Sequence, residues 1–488
     1  MDRPKDGFVI FVVAFVAFVV SFCPPALAQD ASPKVTGTLS NVTRIESWSY
    51  FQPKVDPLAL TLDPLADPTY FYLGDRSELG VRVEGTRFDL SGAFNYVRLE
   101  NLPTTAIGPG GLGAGAFYFA AVGVRYSYQL YLSELTLRAK TRDQRMSATL
   151  GRMRYTSGGE YASAFPALET LKRERLHSRL IGGFEWSLYE RRFDGLRVDV
   201  DRPAWHVTSS AFVATQGGYD ESANLSMPKV QVAGATFTRK SSSPTEWQAF
   251  AHVYRDRRAS AAVVDNTQSI DRPVDVTVAA VGGSHARVAA TRAGELDTVV
   301  WAAGEFGDWY GQPHRAASLA AEAGHRWTRA PWRPWIRAGY LFASGDGDPL
   351  DDRHGTFFQM LPSSRKYALS AVYAQMNLRD AFVQALVEPG RVKARLDLHR
   401  VSLASGSDLW YQGSGATAST GRFFGFSGRA ARGASSLGTV LEGTVEIPIR
   451  KYWSVNGYAG TMWAGDVVKG IFADSRLTVW GIDNVIRF

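Results

Sequence analysis

Between Val392 and His399 apolar and charged side chains alternate without a break. Val392, Ala394, Leu396 and Leu398 share one parity, and Lys393, Arg395, Asp397 and His399 share the other. Successive side chains of a β-strand project to opposite faces. This segment therefore has one oily face and one charged face. A soluble core would have to bury the charges, whereas a wall with lipid on one side and water on the other accommodates both. Around 336–342, Ile336, Ala338, Tyr340 and Phe342 oppose Arg337 and Gly339, and in 196–200 Leu196, Val198 and Val200 oppose Arg197 and Asp199. In the last segment Trp480, Ile482, Ile486 and Phe488 keep one parity, interrupted only by Asn484.

The same period of two recurs along the chain. It predicts strands over 35–47, 77–87, 90–99, 119–138, 145–155, 191–200, 204–214, 229–239, 246–256, 275–287, 296–305, 317–327, 334–343, 380–388, 392–403, 437–447, 453–462 and 475–487. Segments 100–140 and 365–388 leave room to gain or lose a strand pair, so fourteen or sixteen strands stay open. The connections alternate short and long. Asp201-Arg202-Pro203, Thr328-Arg329-Ala330-Pro331 and Glu388-Pro389-Gly390 carry tight-turn chemistry. Large loops are expected near 48–76, 100–118, 156–190, 344–379 and 404–435. Sequential antiparallel strands send every second connection to the same end, so this rhythm indicates an all-β, up-and-down transmembrane barrel of about eighteen strands. A barrel of that size has room for an aqueous channel. A soluble β-sandwich or β-helix is the competing architecture.

The first residues bear on compartment. Arg3 and Lys5 precede an apolar run from Phe8 to Phe22, and Pro24-Pro25-Ala26-Leu27-Ala28 ends in a small-x-small site. This is the pattern of a secretory leader, expected to be cut after Ala28. Residues 29–488 then form one barrel, because no low-complexity linker divides them. Cys23 is the only cysteine, so the mature chain has neither disulfides nor thiol chemistry. No second apolar run approaches the length of a membrane helix. The formal charge of +7 is a modest bias toward anionic solutes or anionic lipid headgroups, not a nucleic-acid signal.

Several ordered motifs resemble the alginate-export porin family. These are Leu150-Gly151-Arg152-Met153-Arg154-Tyr155, then Arg179-Leu180-Ile181-Gly182 with Glu185-Trp186, then Arg192-Phe193-Asp194-Gly195-Leu196-Arg197. Ala343-Ser344-Gly345-Asp346-Gly347-Asp348-Pro349 with His354-Gly355-Thr356-Phe357 follows. Next come His399-Arg400 with Asp408-Leu409-Trp410-Tyr411, and finally Leu437-Gly438 with Glu442. The resemblance implies an eighteen-stranded barrel in the outer membrane of a Gram-negative bacterium, whose terminal aromatic residue, here Phe488, resembles the assembly signal of such barrels. It also implies export of an anionic, alginate-like polysaccharide through a basic constriction. Arg154 falls where the family carries a lumenal arginine. In the penultimate strand, where family exporters carry Arg-x-Arg, this chain reads Asn456-Gly457-Tyr458.

Cations on the water-facing parity are the candidate solute pathway: Arg82, Arg138, Arg154, Arg197, Arg337, Lys393 and Arg395, with His399 beside them. They would attract anions and offset lost hydration. Glu84, Glu134, Asp199 and Asp397 share that parity, so a ladder of ion pairs stiffening the wall is the alternative. The basic segment 169–192 supplies gate candidates Arg175, Arg179, Arg191 and Arg192, unless it is a surface loop touching lipopolysaccharide phosphates. Arg152 sits on the apolar parity, either at the membrane interface or beyond a bulge. Asp346, Asp348, Asp351 and Asp352 form a weak calcium candidate without the downstream glutamate of a complete loop. No catalytic motif and no cofactor signature is present. The expected partners are anionic oligo- or polysaccharide, outer-membrane lipid and lipopolysaccharide, and periplasmic secretion components. Uptake of small anions or sugars, and a structural or adhesive barrel with a plugged lumen, are the other readings.

Overall fold

The computed structural model describes residues 33–54, 66–108, 110–219, 224–259, 261–262, 265–266, 271–361, 363, 365, 368–370, 372–413, 416 and 428–488. The leader, residues 1–28, lies outside the described residues. No helix among them is long and apolar enough to cross a membrane.

Eighteen strands form one sheet. They are β1 (Lys34–Ser49), β2 (Thr69–Glu84), β3 (Phe88–Glu100), β4 (Ser127–Lys140), β5 (Met146–Met153), β6 (Phe193–Asp201), β7 (Trp205–Thr215), β8 (Ser226–Arg239) and β9 (Thr245–Asp256), followed by β10 (Val276–Ala290), β11 (Glu295–Trp309), β12 (Gln312–Arg326), β13 (Trp335–Ala343), β14 (Leu378–Val387), β15 (Lys393–Ser402), β16 (Ser436–Arg450), β17 (Trp453–Ala464) and β18 (Arg476–Arg487). Each strand pairs antiparallel with the next. β18 returns to β1 from Ser40↔Arg487 to Ser49↔Thr478, which closes the barrel and leaves no edge. Arg44 and Asp483 cross this seam inside the lumen at 2.7 Å. Phe488 extends it by two backbone hydrogen bonds with Leu39, at 3.2 and 2.8 Å.

The alternation seen in the sequence becomes inside and outside. Leu396 and Leu398, Ile336 and Tyr340, and Trp480 and Ile482 face outward, while Asp397, His399 and Arg337 are buried in the interior. The interruption at Asn484 has a local cause. Its side-chain carbonyl accepts the Trp453 indole N–H at 2.7 Å, so the polar group is satisfied on the outer face. Outward aromatics gather at both ends, Phe71, Tyr126, Tyr128 and Trp463 at the long-loop end and Trp247, Trp453 and Phe488 at the other. This is the girdle of a membrane barrel.

The structure departs from the sequence expectations in three places. The segment expected as one strand over 119–138 begins instead with a helix, α1 (Ala114–Val122), ended by Gly123 at φ 71°. Its run Ala-Gly-Ala-Phe-Tyr-Phe-Ala-Ala-Val is apolar all round, so neither period dominates, and Tyr118 packs on Tyr72 and Tyr189 within the barrel. β4 then carries a bulge at Ser133, between the pairs Ala93↔Glu134 and Phe94↔Leu132. The bulge switches parity, so Tyr128 and Leu130 face out before it and Leu135 and Leu137 after it. Finally, β2 starts at Thr69, which shortens the loop expected over 48–76, and β11 joins β12 through Tyr310-Gly311 alone at the long-loop end.

Candidate functional site

The described residues of three long connections fold into the barrel rather than away from it. Residues 154–192 penetrate furthest and carry the helix α2 (Pro166–Arg175). Lys172, fully buried, reaches Glu246 at the short-turn end of β9 at 2.7 Å. Three strands further along the wall, Glu322 of β12 accepts from Arg175 at 2.5 and 3.0 Å, from Arg179 at 3.0 Å and from Arg337 at 3.2 Å. Residues 344–377 dock from the long-loop end. Arg365 grips Glu46 of β1 through bonds of 2.8 and 2.9 Å and lies over the rings of Trp48, Trp186 and Tyr458. Glu442 of β16 accepts the Leu369 N–H at 2.7 Å. The third segment, 403–435, joins the second at Asp408, which accepts from the Asp346 N–H at 2.8 Å, Thr356 at 2.6 Å and Tyr411 at 2.7 Å. Burial pushes the Asp408 carboxyl up to about 6 against these bonds.

The interior is thereby divided. A chamber of about 540 Å³ is lined by Arg82, Arg138, Arg154 and Arg197 together with Glu134, Glu160 and Asp199. A second, of about 520 Å³, is lined by Arg326, Arg333, Arg391 and Lys393 with Glu295, Asp297 and Glu388. Both touch the inward segment, the first at Glu160–Ala162 and the second at Pro166–Leu171. Between the loops remains a cavity of about 60 Å³ lined by Arg175, Arg179, Arg365, Arg395 and His399 against Glu322, Asp380, Asp397 and Glu442.

The cations singled out in the sequence thus line more than one space. In the first chamber Arg82 meets Glu84 at 3.2 Å, Arg138 donates to Ser147 at 3.1 Å, and Arg197 holds Asp199 at 2.8 Å. Arg154 lies one residue beyond β5 and contacts Glu78, with Glu190 at 3.6 Å. Lys393 stands in the second chamber, more than half exposed, with Glu446 at 3.9 Å. Arg395 pairs with Asp397 at 2.8 Å and His399 with Asp380 at 3.0 Å beside the central cavity. Arg337 is fully buried between Asp297 and Glu322.

The gate candidates are all inside. Arg175 and Arg179 share Glu322, and Arg192 meets Glu190 at 2.6 Å and Glu78 at 3.4 Å. Burial alone would raise the Glu190 carboxyl, but Arg76, Arg192 and Arg154 hold it well below the usual range. Arg191 stacks on Phe184 and donates to the Ala416 carbonyl at 2.6 Å. The alternative of a surface loop on lipopolysaccharide is therefore overturned for this segment, because Lys172, Arg175, Arg179 and Arg192 find carboxylates on the inner wall. Arg152 stays on the outward parity near the long-loop end, paired with Asp194 at 2.7 Å on the neighbouring strand, with no bulge between them.

The aspartates considered for calcium do not converge. Asp346 turns toward Asp408 and the Asp348 N–H, Asp351 pairs with Arg353 at 2.9 Å, and Asp352 is exposed at φ 56°. Among the described residues no three His, Cys, Asp or Glu side chains group as a metal site. Sequence reasoning passed over Glu46, Glu322 and Arg365, and read Glu442 only as part of a hairpin motif. The one available signal was at Glu322, the sole carboxylate in β12, set among alanines on the inward parity.

A family model described as alginate export matches residues 170–476. The chain belongs to the alginate export family. The matched stretch runs from α2 to the start of β18 and so includes two of the inward connections. No curated protein matches the chain in sequence. Among solved structures, Pseudomonas aeruginosa OccK5 (OpdH) is 9% identical, with TM-score 0.53 over 93% of this chain and 98% of that one. Acinetobacter baumannii OccAB1 is 8% identical, with TM-score 0.54 over 93% and 96%. Pseudomonas aeruginosa OpdK with vanillate is 9% identical, with TM-score 0.53 over 93% and 98%. At such identity the likeness carries the fold, a porin-type outer-membrane barrel. This alginate export family member is thus an outer-membrane barrel of eighteen strands.

Proposed function

We propose that the chain is a passive channel for anionic saccharide, an alginate-like polyuronate or a related anionic solute, and that the inward segments 154–192 and 344–377 form its constriction. The observation that carries this reading is the placement of the cations. Arg175, Arg179, Arg365 and Arg395 converge on the small cavity between the inward loops, and Arg391 and Lys393 line a more open chamber. Guanidinium groups suit planar carboxylates, which a polyuronate presents at every residue. The carboxylates interleaved with them lower the net field and let the cations release a bound solute. No redox, nucleophilic or metal chemistry is needed, and the family is one of channels rather than enzymes.

A second reading, uptake of small organic anions, is favoured by the size of the central cavity. Its volume of about 60 Å³ holds about two waters at roughly 30 Å³ each. A polymer passes only if the inward segments move aside, whereas a small anion needs a smaller displacement. The solved OpdK barrel was obtained with vanillate, a solute of that size class. Planar-bilayer recordings separate these readings. Anion preference at low salt with block by added oligouronate supports the first, and anion preference without block supports the second. Equal permeability to anions and cations would reject both.

A further inference from the structure

The outer face of five consecutive strands carries an unusual charge distribution. The outward positions of β14 to β18 hold no aspartate or glutamate. Besides Arg450, set opposite the outward Trp453 at the short-turn end by the bulge at Ile449, they hold three cations, Arg379, Arg400 and Arg476, and all three lie at the long-loop end. Parity is settled by burial, since Asp380, His399, Val401 and Leu477 beside them are buried in the interior.

Register joins the three into a row. Arg379 lies opposite Ser402, one diagonal step from Arg400. Arg400 lies opposite Thr439, Thr439 opposite Trp463, and Trp463 opposite Arg476. Each guanidinium bonds only a neutral group: Arg379 the Ala404 carbonyl at 3.1 Å, Arg400 the Thr439 hydroxyl at 3.0 Å, and Arg476 the Thr461 hydroxyl at 3.0 Å. Among the described residues no carboxylate comes within ion-pairing reach of any of them. Asp380, next to Arg379, points inward to His399, and Asp474, two residues before Arg476, accepts the Gln52 N–H. By contrast Arg98 and Arg152, outward cations near the same end on other strands, each carry a partner, Glu100 and Asp194. Arg255 and Arg315 also face outward, on strands apart from the row.

Depth identifies the surroundings. Below the row, on the same parity, come Leu398 and Leu396, then Val383 beyond Ala381, and Trp480 and Ile482 beyond Thr478, exposed apolar side chains that face lipid. Two residues of strand cover about 7 Å, so the arginines stand one step above the hydrocarbon boundary, on the side of the long loops. Trp463 among them is the amphipathic ring expected at that level.

We propose that Arg379, Arg400 and Arg476, with Thr439 and Trp463, bind the phosphate groups of the phosphorylated glycolipid of the outer leaflet, lipid A. Arginine forks match phosphate oxygens bidentately, and three cations without a protein anion leave that charge to the lipid. The row is independent of the lumen and of whatever the channel passes.

The test titrates the full-length barrel in detergent with bis-phosphorylated lipid A. The parallel arms use dephosphorylated lipid A, phosphatidylglycerol and inorganic phosphate. The Arg379→Gln/Arg400→Gln/Arg476→Gln variant is expected to bind bis-phosphorylated lipid A about tenfold more weakly or worse, with heat-modifiable mobility confirming an intact barrel. Arg255→Gln/Arg315→Gln is expected to bind as wild type does. Removing the phosphates from lipid A should erase the difference between wild type and the triple variant. Should the triple variant fail to assemble, Arg400→Gln alone carries the test, with a loss of about threefold expected. Affinity within twofold of wild type in either variant overturns the proposal. So does equal competition by phosphatidylglycerol or inorganic phosphate, which would mark a site for anions in general.

Discussion

Glu322 is the carboxylate on which the inward segment hangs, and replacing it by glutamine isolates that role. The side chain is almost completely buried and faces three guanidiniums, of which Arg175 and Arg179 belong to the segment and Arg337 to the neighbouring strand. Glu322→Gln keeps the volume but removes the charge. Three charge-assisted hydrogen bonds to the segment weaken, each contributing about 1.5–3 kcal/mol when fully formed. Arg175 remains partly solvated, so its share is discounted for screening. That leaves about 3 kcal/mol for docking. At 1.4 kcal/mol per decade, the balance between docked and released segment moves roughly 100-fold toward release. Closure of the barrel does not depend on these bonds, so heat-modifiable mobility should persist. Single-channel recordings at matched salt should show higher mean conductance and more open-state noise. Arg175→Gln/Arg179→Gln should do the same, and combining the two changes should add little, because both remove one interaction. Conductance and noise indistinguishable from wild type in Glu322→Gln would refute the idea that this carboxylate holds the segment.

Three further outcomes follow from the same geometry. Replacing Lys393 and Arg395 by glutamine should reduce anion preference measured as reversal potential at low salt, with the effect fading as salt rises and screening shortens to about 10 Å near 0.1 M; an unchanged reversal potential removes these residues from the pathway. The Asp408 carboxyl, raised to about 6 by burial, takes up a proton when segments 344–377 and 403–435 dock. Docking is therefore favoured most below the unfolded carboxylate range near 4 and loses at most about 3 kcal/mol as pH rises through 6. Conductance noise should accordingly be lower at pH 4.5 than at pH 7.5, and Asp408→Asn should flatten that dependence. Deleting Phe488 removes two backbone hydrogen bonds at the seam and a ring stacked on Tyr452 at 4.7 Å, so the fraction of heat-modifiable barrel recovered should fall more than after a loop deletion of similar size.

The period of two along the chain was enough to find the wall. Every one of the eighteen strands overlaps a segment marked by alternation, because a strand between lipid and water must segregate its side chains by parity, a local constraint written residue by residue. Turn residues such as Glu388-Pro389-Gly390 marked the short connections for the same local reason. The inward parity of Arg197, Arg337, Arg395 and His399 was legible too. What those side chains meet was not, since Arg44 finds Asp483 across 439 residues and Arg365 finds Glu46 across 319. Such pairs exist only once the sheet has closed and the loops have turned inward. Nothing in the alternation says whether a long loop folds outside or within, so the fate of 154–192 waited on Glu322 and Glu246, acids on two distant strands. The helix α1 escaped because an all-apolar run has no face to read. The parity of β4 escaped because a single bulge at Ser133 reverses it. Sequence fixes which face each strand shows to water; closure and loop docking decide which of the charges there stay available to a solute.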